Sequence, residues 1–170
     1  MNSRKKKWKS WSWIPMVSMM ILIFCFSGQT GDESGGLSGG ICQFLVEKTE
    51  DIFSLHLSEE EKGQWIEKLQ FPVRKGAHMG EYALLFSFVL FHFSVWEWGK
   101  TRKRMYCYSF LFTVCFAMTD EFHQLFISGR AGQIRDVGID ALGSLIMAII
   151  VWNLGKMLKN RKENKKHLTF

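Results

Sequence analysis

Charged residues divide the chain into four uncharged apolar runs. Ser10 to Gly31 is uncharged over 22 residues, and Tyr82–Trp96, Met105–Thr119 and Ala141–Gly155 over 15 each. A bilayer core is crossed by about 20 helical residues, so only the first run spans one unaided. Three patterns nevertheless favour four membrane spans over the buried helices of a soluble bundle. Ile21, Leu22, Ile23, Phe24 and Phe26, and Leu145 through Val151, are apolar around the whole helix rather than on one stripe. Trp8, Trp11, Trp13, Trp96, Trp98 and Trp152 stand at segment ends beside Lys or Arg, as an interfacial belt would.

The third pattern is the sorting of cations. Arg4, Lys5, Lys6, Lys7 and Lys9 precede the first run, and Lys100, Arg102, Lys103 and Arg104 separate the second and third. Lys156, Lys159, Arg161, Lys162, Lys165 and Lys166 follow the fourth. The connection from Ser27 to Val73 instead holds three Lys and nine acidic residues. The positive-inside rule then predicts an all-α, multi-pass cell-membrane protein with four spans and both termini cytoplasmic. The expected spans are about 11–30, 76–96, 105–126 and 136–155, in a single domain over 1–170 with a basic tail from 156. The first run is expected to be a retained anchor: no Ala-x-Ala cleavage pattern follows it, and Phe24 before Cys25 is too large for a lipoprotein site.

Within the outer connection 27–73, the small polar stretch Ser27 to Gly40 predicts a loop. Ile41, Phe44, Leu45, Ile52 and Phe53 follow rough helical spacing and predict an amphipathic helix on the outer leaflet. Ser58 and Glu61 form a capping box for a second short helix through Leu69, which Pro72 is expected to end.

Composition alters this picture little. The chain has 170 residues, 22 Lys+Arg and 16 Asp+Glu, a net charge of +6. Such totals alone suggest a basic nucleic-acid binder, but topology and attraction to anionic lipid explain the cations, so no nucleic-acid partner is expected. Cys25, Cys42, Cys107 and Cys115 show no metal-ligand spacing, and Met16, Met19, Met20 and His92 read as ordinary packing.

The candidate chemistry comes from extending the short runs outward to about 20 residues, which draws ionisable groups into three spans at one height. Arg74, His78, Glu81 and Leu85 share a helix face, flanked by the G-x-x-x-G pair Gly76 and Gly80, a pattern permitting close helix approach. Asp120 and His123 share a second face, and Asp136, Asp140, Gly143 and Ser144 a third. Glu121 is expected to point away from Asp120's cluster. Arg130 and Arg135 border a tight turn and are forks suited to carboxylate or phosphate. A bland reading pairs Glu81 with Arg74, or Asp140 with Arg135, as locks on the bundle. Ionisable clusters in membranes more often serve function.

These blocks resemble the VanZ-like family of bacterial membrane proteins. The resemblance rests on Phe26-Ser27-Gly28-Gln29 with Ser34 and Ser38, and on Arg74-Lys75-Gly76-Ala77-His78-Met79-Gly80-Glu81-Tyr82. It continues through Asp120-Glu121-Phe122-His123-Gln124 with Gly129-Arg130, and Asp136-Val137 with Asp140 and Gly143. The glycines Gly35-Gly36 and Gly39-Gly40 depart from the pattern. The resemblance implies a cell-envelope role and an association with low-level resistance to the lipoglycopeptide teicoplanin. It supplies no reaction and no cofactor.

Three functions follow as expectations. The first is binding of an anionic lipid or lipoglycopeptide by Arg74, Lys75, Arg130, Arg135, Gln124, Asp136 and Asp140, with the outer-loop motif Ser27, Gln29, Ser34 and Ser38. The second is an intramembrane enzyme with His78, Glu81, Asp120 and His123 as catalytic candidates, by acid/base or metal-assisted chemistry; no H-E-x-x-H is present and no metal is assigned. The third is proton-coupled transport by a homo-oligomer.

Overall fold

The computed structural model describes residues 9–167, of which 162, 163 and 165–167 by backbone only. Arg4, Lys5, Lys6, Lys7 and Trp8, and the side chains of Lys162, Lys165 and Lys166, lie outside the described residues. The described residues form helices and turns without a strand. The helices are α1 (Trp13–Ser27), α2 (Gly31–Phe53), α3 (Glu59–Val95), α4 (Arg102–Gln124) and α5 (Ile134–His167). Among the described residues two segments are long and apolar enough to cross a membrane: Lys9–Ser27, ending in α1, and Ile134–Arg161 within α5.

Two expectations about the outer connection are corrected. The stretch after Thr30 is helical, not a loop. Thr30 and Glu33 close a capping box in which the Glu33 N–H donates to Thr30 Oγ1 at 3.3 Å and the Thr30 N–H donates to Glu33 Oε2 at 2.8 Å. Asp32 and Glu33 meet the positive end of the helix, and the buried side chains of Ser38, Cys42 and Val46 fix it. Pro72 does not end a helix either. It lies inside α3, which runs unbroken from the Ser58–Glu61 capping box through 37 residues. At 1.5 Å per residue that is about 55 Å, well beyond a bilayer core.

α3 is the spine, packing on each of the other four helices. The core joins Met19 and Ile23 of α1, Tyr82, Leu85, Val89 and Phe93 of α3, and Phe116 and Ala117 of α4, with Met16 and Met20 against it. The G-x-x-x-G expectation is corrected here. Gly76 and Gly80 face open space, whereas Gly143 of α5 is the glycine of close approach: a Cβ there would collide with the Met79 carbonyl. Its neighbour Ser144 donates to the Tyr82 carbonyl at 3.2 Å.

The basic end is tied together separately. Arg102 stacks on Trp152, 4.3 Å from the ring centre, and donates to the Trp152 carbonyl at 2.9 Å. His92 Nδ1 meets Ser12 Oγ at 3.0 Å and its ring sits among Phe93, Trp96 and Trp98, a packing role. Polarity is inverted relative to a water-soluble bundle. Asp120, Glu121 and Asp140 are buried, while Ile21, Leu22, Leu84, Leu111, Phe122 and Ile149 face outward.

Candidate functional site

The site forms where α1 ends, α4 ends and α5 begins. Ser27 is buried in the last turn of α1 and donates to Asp120 Oδ1 at 2.5 Å. Gln124, one turn after Asp120, donates to Asp120 Oδ2 and to Glu121 Oε1, each at 3.2 Å. The other oxygen of Glu121 accepts the Gln133 N–H at 2.9 Å and so anchors the residue before α5. Asp120 and Glu121 therefore belong to one network. The expectation that they diverge fails because a side chain at i+3 and i+4 reaches both.

Arg130 reaches back to the end of α1. Its Nε donates to the Gln29 carbonyl at 3.0 Å and an Nη to the Phe26 carbonyl at 3.2 Å, the latter in addition to the Gln29 N–H that carbonyl already accepts. The backbone of that turn lies directly on α2. The Gly31 N–H donates to the Ser128 carbonyl at 3.1 Å, and a Cβ on Gly31 would strike the Gly129 carbonyl. Gly129 itself has φ of 72°, the left-handed region where glycine is unstrained. Burial, and next the charge of Arg74 beside it, hold the Arg130 guanidinium below its ordinary range.

Two cavities open on this framework. A polar one of about 250 Å³ is lined by Arg74, Lys75, His78, Gln124, Arg130, Arg135 and Asp136, together with turn backbone. An apolar one of about 240 Å³ lies between α2 and α3, lined by Phe26, Leu37, Ile41, Val73 and Ala77, with Gln29, Ser34, Ser38 and Glu81 at its polar edge. Arg74, His78 and Arg130 border both. In the polar cavity Lys75 Nζ is paired with Asp136 Oδ1 at 2.6 Å. His78 Nδ1 lies 3.7 Å from Glu81 Oε2, too far for a direct hydrogen bond.

A family model described as VanZ/LLP1 matches residues 12–156. This chain belongs to the VanZ/LLP1 family. Comparison with curated proteins and with solved structures found no match. In this VanZ/LLP1 chain, six of the seven ligand candidates line the polar cavity, and Gln29, Ser34 and Ser38 line the apolar one. Asp140 lines neither. It is buried one helical turn before Ser144, with Oδ2 lacking a hydrogen-bond partner. The catalytic candidates are split. His78 and Glu81 border the cavities, whereas Asp120 lies behind Ser27, and the His123 ring packs 5.1 Å from that of Phe24.

The locking pairs of the bland reading are absent among the described residues. Neither Glu81–Arg74 nor Asp140–Arg135 forms, and Lys75–Asp136 is the ion pair between α3 and α5. Among the described residues no three His, Cys, Asp or Glu side chains are grouped to hold a metal ion. Sequence reasoning missed Leu37 and Gln133, and read Ile41 only as part of a surface helix. Leu37 and Ile41 are spaced i, i+4 beside Ser34 and Ser38, a helical signal hidden by the surrounding glycines.

Proposed function

We propose that this VanZ/LLP1 protein is a four-span membrane protein of the bacterial cell envelope, with both termini in the cytoplasm. In this reading it binds an anionic lipid-linked or lipopeptide-like molecule at the outer leaflet and lowers susceptibility to lipoglycopeptides such as teicoplanin. Outward-facing apolar side chains on α1, α3, α4 and α5, around buried Asp120, Glu121 and Asp140, support the membrane placement. The observation that carries the ligand reading is the shared wall: a cationic cavity and an apolar one meet at Arg74, His78 and Arg130. An amphiphile has a matching division.

Arg74 and Arg135 are the test positions, because Arg130 also braces backbone carbonyls. In a host made teicoplanin-tolerant by this protein, Arg74→Ala with Arg135→Ala should restore susceptibility at unchanged protein level. Undiminished tolerance at that level rejects the reading.

A second reading, an enzyme acting on a lipid-linked substrate, is favoured by the His78–Glu81 pair at the edge where head and chain would join. The purified protein should then alter a species in extracted bacterial lipids, seen by mass spectrometry, and Glu81→Gln should stop it. Lipids left unchanged by the wild-type protein retire this reading.

A further inference from the structure

The charges on the polar cavity do not balance within the protein. Lys75 is neutralised by Asp136. Arg130 spends two donors on backbone carbonyls and has no carboxylate of its own. Among the described residues, Arg74 and Arg135 have neither an ion pair nor a side-chain hydrogen bond, although both line the cavity. Arg74 is close enough to Arg130 for their charges to oppose each other. Glu81 stands at the edge of the other cavity. Three guanidiniums thus line one space whose carboxylate, Asp136, is taken by Lys75; Asp120, Glu121 and Glu81 act on Arg130 without pairing with it, and the positive end of the long helix α5 opens beside the cavity.

Like charges gathered in this way are stabilised by an anion of higher valence. A carboxylate offers one negative charge. A phosphate monoester carries about −1.5 to −2 at neutral pH with three acceptor oxygens, enough for several planar forks at once. The apolar cavity begins at the same Arg74, His78 and Arg130 and runs along Leu37 and Ile41 of α2. These shared residues set the two cavities side by side, so a hydrocarbon chain attached to the phosphate has an apolar wall next to its head.

We infer that the site takes a phosphate monoester or diphosphate of a long-chain lipid, with the phosphate among Arg74, Arg130 and Arg135 and the chain against α2. This deepens the amphiphile-binding reading and rests on it. His78 then borders the junction of head and chain, and Lys75–Asp136 remains a strut rather than a ligand contact.

The test uses the full chain in phosphatidylcholine nanodiscs, with empty discs as the blank, titrated calorimetrically with three probes. Decyl phosphate has both head and chain, decanoate the chain with a carboxylate, and inorganic phosphate the head alone. Decyl phosphate should bind at least about tenfold more tightly than either, as expected for charge-assisted bonds to a dianion. Arg74→Gln with Arg135→Gln should remove that advantage, and Leu37→Gln should weaken decyl phosphate while leaving inorganic phosphate unchanged. Decanoate binding as tightly as decyl phosphate overturns the phosphate assignment but leaves an amphiphile site. Inorganic phosphate binding as tightly as decyl phosphate overturns the lipid assignment in favour of free phosphate. If no amphiphile binds above the blank, both this inference and the reading beneath it fall.

Discussion

At the residue scale, the buried polar groups work through single well-placed atoms. Ser27 supplies the short hydrogen bond to Asp120, a carboxyl with no exposed surface. Ser27→Ala should lower stability by about 1–3 kcal/mol, because it leaves a buried acceptor unpaired. Unfolding in detergent would check this, and the double variant with Asp120→Ala should cost less than the two changes added. The glycines make a sharper contrast. Gly143→Ala drives a methyl into the Met79 carbonyl and should destabilise by about 1–3 kcal/mol. Gly80→Ala faces open space and should be neutral or stabilising by up to about 1 kcal/mol, since alanine is the better helix former. Sequence spacing alone ranks these two positions the other way, because Gly76 and Gly80 form the recognisable motif. A motif marks where close approach is possible, and only the partner backbone decides where it happens. The same limit hid the Asp120–Glu121 network. Helical geometry separates the two side chains, but Gln124 bridges them.

At the element scale, the four apolar runs are mostly helical, and the Ser58–Glu61 start of α3 was legible residue by residue. The misreadings fell where local propensity and tertiary context disagree. Gly35, Gly36, Gly39 and Gly40 each cost α2 up to about 1 kcal/mol relative to alanine. The Thr30–Glu33 box and the packing of Cys42 and Val46 outweigh that cost. Pro72 breaks no helix because the capping box upstream and the core residues downstream hold both of its flanks in register. The hairpin of α2 and α3 also carries a pH response. Lys62 Nζ lies 2.9 Å from Glu50 Oε2, and this bond holds the Glu50 carboxyl below its ordinary value of 4.5 and raises Lys62. A depressed carboxyl contributes stability above its unfolded pKa and loses it as pH falls through the folded one. Hydrogen exchange at the Leu57 and Ser58 amides should therefore accelerate as pH is lowered below 4.5, after correction for intrinsic rates. Glu33 and Glu61, depressed by their caps, add to the trend in the same direction. Lys62→Gln should remove the share due to the pair.

At the scale of the whole molecule, the proposed topology places the α2–α3 hairpin outside and the basic ends inside. In a cysteine-free background, Ser54→Cys should react with a membrane-impermeant maleimide on intact cells. Asn160→Cys should react only after permeabilisation, and labelling of both on intact cells overturns the four-span arrangement. The helical class and the cation pattern were legible because they depend on composition along the chain. The clamp on the end of α1 was not, because Arg130 lies 101 and 104 positions from the carbonyls it holds. That separation has a consequence for biosynthesis. The first three helices leave the ribosome well before Arg130, and until it is made the Phe26 carbonyl has only backbone N–H partners from its own turn and the Gln29 carbonyl lacks its guanidinium. The brace on the end of α1 therefore closes only once the turn between α4 and α5 has been made, so the first helix is tied down by one of the last parts of the chain to be synthesised.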